Sequence, residues 1–109
     1  MGPSRVSETN RRLGYPADAR LLIINADDFG MCHATNAAIW RALTEGVACS
    51  TTLMVPCPWA LHAMRLLREN PAIPFGVHLT ALCDGPDYRW GPLTPRDRVL
   101  SLVDETGAF

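Results

Sequence analysis

The sequence predicts an α/β fold, a βαβαβ unit with parallel strands. Two observations predict it. Short apolar runs alternate with stretches of helical period, and each run stops at turn-forming or acidic residues. Strands joined by crossover helices pair in parallel with right-handed connections, so all their C-terminal ends open on one edge, where ligands and reactive side chains collect.

Residues 1–19 are polar, contain Gly and Pro and show no regular period, so they read as a flexible N-terminal arm, with the domain proper at residues 20–109. Leu21-Leu22-Ile23-Ile24 is the continuous apolar run of a strand buried on both faces, and Asn25-Ala26-Asp27-Asp28-Phe29-Gly30 marks its exit from the sheet. Residues 34–45 place Ala38, Ile39, Ala42 and Leu43 at helical spacing, with Gly46 just past the helix end. A second strand over 48–55 ends at Pro56 and Pro58, and a helix from Trp59 to Glu69 follows, closed by Asn70-Pro71. The third strand, Phe75 to Thr80, leads into a Gly- and Pro-rich stretch, and residues 99–103 form a closing apolar segment. Trp40 and Trp59 are expected in the core, whereas Trp90 with Tyr88 fits either a sugar-binding cleft or simple loop packing.

Composition narrows the function. The 109 residues are enough for one small domain, and 48% hydrophobic content can supply its core. A net charge of −1 builds no basic field, so no nucleic-acid partner is expected. All ten basic residues are Arg, which removes every mechanism that needs an amine nucleophile. The four cysteines form no C-x-x-C pair and read as reduced thiols. Arg11-Arg12 precede no apolar stretch and no run approaches 18 apolar residues, so neither an export signal nor a membrane span is expected, and the setting reads as cytoplasmic.

The reactive residues fall at the strand ends. Asp27 and Asp28 close the first strand and His78 lies near the end of the third, about 10 Å away across the sheet, a gap that inward-reaching side chains can bridge. Adjacent carboxylates at a sheet mouth repel each other, and a divalent cation keeps both ionised, one binding the ion and one free as a base. A lone Asp here would be read as a helix cap and a lone His as an ordinary satisfied histidine; the combination points to a metal or acid/base site. Cys32, His33, Cys57 and His62 lack the paired spacing of structural zinc and read as scaffold or surface.

Three segments, Ile23–Gly30 (IINADDFG), Ser50–Val55 (STTLMV) and Gly76–Thr80 (GVHLT), together resemble the YdjC-like carbohydrate deacetylases, the ChbG/HpnK group. The resemblance runs from about Arg20 to Phe109 and takes in Ser101–Phe109 (SLVDETGAF). It implies an α/β-barrel-like fold of which this chain is the first part, incomplete at the C-terminus, since such a barrel typically takes about 250 residues. It also implies removal of acetyl groups from N-acetylated sugars or oligosaccharides with a divalent metal, commonly Mg²⁺. Carried over by position, Asp28 and His78 are metal ligands and Asp27 is the general base. Mixed Asp and His ligation suits Zn²⁺ as well, so the ion is left open by residue type. The family's second metal-binding His lies beyond Phe109, which implies an N-terminal fragment that is poorly stable and inactive alone.

Two rivals are weighed. A receiver-type signalling domain shares the length and the acidic pair, but needs an Asp where this chain has His78 and a Lys where it has none. A non-catalytic α/β metal-binding module is the other. The sequence names neither the sugar nor the oligomeric state, a homodimer being one option.

Overall fold

The computed structural model describes residues 7–109. Its elements are α1 (Glu8–Arg12), β1 (Asn25–Phe29), α2 (His33–Thr44), β2 (Ser50–Leu53), α3 (Ala60–Glu69) and β3 (Phe75–Val77), followed by short 3₁₀ turns at Arg96–Arg98 and Leu100–Leu102. The three strands form one parallel sheet in the order β1-β2-β3. Each crossover steps in the same direction, and residues of both α2 and α3 share one core with the sheet, so the helices cover a single face. This is the winding of a barrel. A receiver domain instead reverses direction around its first strand, which lies centrally.

The first strand begins later than its hydropathy predicts. Leu22 and Ile23 are 81% and 78% exposed, and the ladder starts only where β2 offers a partner, with the Cys49 amide donating to the Ile24 carbonyl and Asn25 opposite Ser50. A strand exists where backbone groups find partners, and among the described residues none pairs with Leu21–Ile23. The acidic motif therefore lies inside β1, not in a loop after it.

Within β1 the register slips by one. Ala26 faces Thr51 and Phe29 faces Leu53, so three steps on β1 match two on β2. The extra residue is accommodated at Asp28, whose φ of 71° puts it in the left-handed region. This bulge lets Ala26 and Phe29, three apart, share the helix-covered face.

That face forms the core: Phe29, Ile39, Leu53, Ala63 and Leu67, with Trp40, Leu43 and Ile73 packed around them. The α2 face is rotated from expectation, since Ala38 is exposed and Asn36 is fully buried. Trp59 is not core either. It precedes the first turn of α3 and is 40% exposed. Trp90 takes the packing option, buried with Met54 and Cys57 while its indole N–H donates to the Thr80 carbonyl; Tyr88 stays exposed.

Of the arm read over residues 1–19, residues 1–6 lie outside the described residues. The remainder includes α1, capped by the Ser7 hydroxyl and tied back by the Asn10 amide to the Pro16 and Ala19 carbonyls. The radius of gyration is 18.3 Å, against about 13 Å for a compact chain of this length. The accessible surface is 8062 Å², where a compact 12.0 kDa monomer exposes about 6000 Å². Part of the excess is apolar sheet: Phe75 and Val77 on β3 are 56% and 67% exposed.

Candidate active site

Successive strand residues point to opposite faces, so a regular β1 would send Asp27 and Asp28 apart. The bulge changes this. With Asp28 in the left-handed region, its carboxylate turns to His78, one residue beyond β3, and Asp28 Oδ1 lies 3.3 Å from His78 Nε2. The imidazole is placed by its own backbone, whose N–H donates to the Leu53 carbonyl, and its Nδ1 faces the Leu79 carbonyl at 3.2 Å. Left-handed backbone costs a non-glycine residue of order 1–3 kcal/mol, least for Asp and Asn, and such strain concentrates at functional positions.

Asp28 and His78 each keep about a third of their side-chain surface open, 36% and 30%. Partial burial pushes the Asp28 carboxyl up from its ordinary value, His78 opposes that, and the nearby charges of Asp84 and Asp27 add to it. A site that raises a carboxyl's proton affinity through desolvation and like charges is one that a cation relieves. The spacing also suits an ion. Two donors on one cation, at bond lengths near 2.1 Å, sit about 3.0–3.4 Å apart in octahedral or tetrahedral geometry. Asp28 and His78 thus fit as two neighbouring ligands of a divalent ion. Among the described residues no group of three or more His, Cys, Asp or Glu side chains converges.

Asp27 sits on the face of the sheet away from the helices, in a polar row. Its Oδ1 accepts from the Thr52 hydroxyl at 2.5 Å and from the Asn25 amide at 2.6 Å, and Ser50 donates to Asn25 Oδ1 at 2.6 Å. The β3 residue opposite Thr52 is Gly76, which adds no side chain to that face.

The remaining candidates do not join this cluster. His33 packs against Trp59 with ring centroids 4.9 Å apart and planes tilted by 56°, and His62 meets Trp59 edge-on at 5.6 Å, so these two histidines form an aromatic group at the starts of α2 and α3. Cys32 accepts from the Thr35 amide at the start of α2, and its hydrogen bonds with Thr35 pull its thiol below the ordinary value. All four cysteines are free thiols. Two residues went unremarked in the sequence. Asp84 contributes charge at the Asp28 carboxylate from a loop with no periodic signal. Asn36, fully buried in α2, accepts from the Gly30 N–H at 2.6 Å, donates to the Trp59 carbonyl at 3.1 Å and meets His62 Nδ1 at 3.0 Å. A polar residue on the apolar side of a helix was the available signal for it.

A parallel β/α unit with an acid pair and a histidine at its strand ends defines a class of protein with its site on the C-terminal edge of the sheet. The sequence model of the YdjC-like protein family matches residues 21–109, and the chain belongs to that family. A chitooligosaccharide deacetylase of Yersinia enterocolitica is 48% identical over 89 residues, 81% of this chain and 31% of the relative. A carbohydrate deacetylase of Enterococcus faecalis is 44% identical over 81% of this chain and 32% of its own. A crystal structure from Enterococcus faecalis, provisionally described as a cellobiose-phosphate cleavage protein, superposes with a TM-score of 0.69 at 42% identity, over 80% of this chain and 32% of that one. The chain spans about a third of the length of the relatives it matches. No helix among the described residues is long and apolar enough to cross a membrane.

Proposed function

We propose that the protein carrying this segment is a metal-dependent hydrolase that removes acetyl groups from N-acetylated sugars or oligosaccharides. The observation that carries the proposal is the Asp28–His78 pair, 3.3 Å apart, with Asp27 as its sequence neighbour on the same edge. The names of relatives with 48% and 44% identity support an acetylated carbohydrate, a chitooligosaccharide first among them. Asp28 and His78 would hold the divalent ion, Mg²⁺ by family resemblance, with Zn²⁺ equally compatible with the donors. When bound, such an ion makes a water more acidic and a carbonyl more electrophilic. Asp27 would serve as the base that accepts the attacking water's proton.

The excess of exposed surface supports a second part of the proposal. These residues form part of a longer barrel-like domain and are inactive in isolation. Further sheet and helix would cover Phe75 and Val77.

The test is acetate release from N,N′-diacetylchitobiose by the full-length protein, with divalent-metal titration calorimetry alongside. Chelation abolishes turnover and Mg²⁺ or Zn²⁺ restores it. Asp27→Asn keeps metal affinity and loses turnover, whereas Asp28→Ala and His78→Ala lose both. Unchanged metal affinity in Asp28→Ala and His78→Ala overturns the ligand assignment. Metal binding without acetate release favours the non-catalytic module instead.

A further inference from the structure

The hydrogen bonds to Asp27 are one-sided. Among the described residues, the Thr52 hydroxyl and the Asn25 amide both end on Oδ1, and none ends on Oδ2. The arrangement has a fixed polarity. Ser50 donates its hydroxyl to Asn25 Oδ1, which commits the Asn25 carbonyl and turns its Nδ2 toward Asp27. Asn25, Asp27, Ser50 and Thr52 thus form a connected row on the sheet face away from the helices, spanning β1 and β2.

We propose that Thr52, with Asn25 and Ser50 behind it, positions Asp27 by holding one carboxylate oxygen and leaving Oδ2 as the atom that takes the proton. It rests on the assignment of Asp27 as base made above. An exposed Asp on a strand rotates about two bonds, and a base that must meet one water loses rate with each orientation that misses it. Two short donors on one oxygen fix both the plane of the carboxylate and which oxygen is free, at the cost of some basicity in the held one. The neighbouring threonine makes the contrast. Thr51 is 1% exposed and its hydroxyl donates to the Ala26 carbonyl, a bond within the covered sheet that touches no reactive group.

The experiment compares Thr52→Val, Thr52→Ser, Thr51→Val and Asp27→Asn in the full-length protein loaded with Mg²⁺, using N,N′-diacetylchitobiose. Thr52→Val lowers kcat about 10- to 100-fold with KM within about twofold, and Thr52→Ser restores kcat to within about threefold, because the hydroxyl returns. Mg²⁺ affinity by calorimetry stays unchanged in both. Thr51→Val lowers the melting temperature more than it lowers kcat. A second readout needs no turnover: three-bond couplings at the Asp27 methylene report one rotamer in the wild type and in Thr52→Ser, and averaging in Thr52→Val. Wild-type kcat or a single Asp27 rotamer in Thr52→Val overturns the positioning role while Asp27→Asn still abolishes turnover. Full turnover in Asp27→Asn instead overturns the base itself, and the positioning role with it.

Discussion

Asn36→Ala tests whether the strand end that carries the acid pair is held by a single buried amide. Asn36 is 0% exposed and links three elements: the Gly30 N–H after β1, the Trp59 carbonyl before α3, and His62 within α3. Alanine leaves the Gly30 N–H without a partner in a buried site, whereas the Trp59 carbonyl keeps the Ala63 N–H at 3.2 Å. A buried unsatisfied group costs about 1–3 kcal/mol, and the retained Ala63 bond keeps the Trp59 carbonyl out of that cost. The expected loss is about 1–3 kcal/mol, a sizeable part of a typical domain's 5–15 kcal/mol. Urea unfolding of the full-length protein, followed by tryptophan fluorescence, reads it directly. Asn36→Asp separates the two links. It keeps an acceptor for Gly30 but buries a carboxyl with its other oxygen against the Trp59 carbonyl; burial and that repulsion raise the new carboxyl's pKa in the folded state, with His62 Nδ1 opposing. Its stability is then greatest below the unfolded-state pKa of about 4 and is lost as pH rises through the folded value. A loss below about 1 kcal/mol for Asn36→Ala would show that the amide does not hold this junction.

Asp28→Gly should be more stable than Asp28→Ala by about 1 kcal/mol, since both lose the carboxylate but only Ala meets the left-handed penalty at φ 71°; equal melting curves would mean that the bulge is absent. Gly30→Ala should destabilise by more than about 2 kcal/mol, because φ is 106° and an added Cβ would lie 3.1 Å from Ala60 Cα and 3.2 Å from the Met54 carbonyl oxygen; urea unfolding checks it, and a change under 1 kcal/mol contradicts the packing. Burial pushes the Cys57 thiol up to about 11, with Cys83, Asp28 and Asp84 adding to it. At pH 8.5 its thiolate fraction is therefore roughly two orders of magnitude below that of an ordinary cysteine, and iodoacetamide should label exposed Cys49 well before Cys57. Because the folded state holds that proton more tightly, the Cys57 contribution to stability is complete below about pH 9 and declines as pH rises toward 11. Equal labelling rates for the two thiols would contradict the burial.

Much of the architecture was legible because it depends on local pattern. The helices over His33–Thr44 and Ala60–Glu69 fall within one residue of their periodic stretches, and Gly46 stands just past α2, where an added Cβ would lie 2.8 Å from the Ala42 carbonyl oxygen. Parallel pairing followed from the crossover helices. The strand limits were not legible in the same way. Leu21–Ile24 has the hydropathy of a buried strand, yet pairing begins only at the partner's first residue, and hydropathy carries no information about where a partner starts. Asn36 and Trp59 depart for a similar reason: which helical face meets the sheet is set by how the crossover docks, not by composition alone.

By itself the sequence determined the parallel βαβαβ pattern and the residues with reactive chemistry: two adjacent acids at one strand end, a histidine at another, and a chain without lysine. The family resemblance paired Asp28 with His78, but only the tertiary structure gave the physical reason that this acid meets the histidine. Alternation along a regular strand would send the two carboxylates to opposite faces, and the single extra residue in β1, visible only against the register of β2, turns Asp28 toward His78 while Phe29 stays in the core. It also decided that Thr52 holds one oxygen of Asp27 and that Ser50 turns Asn25 to the same oxygen, because contacts between residues 25 apart in sequence come from strand pairing and from nothing local.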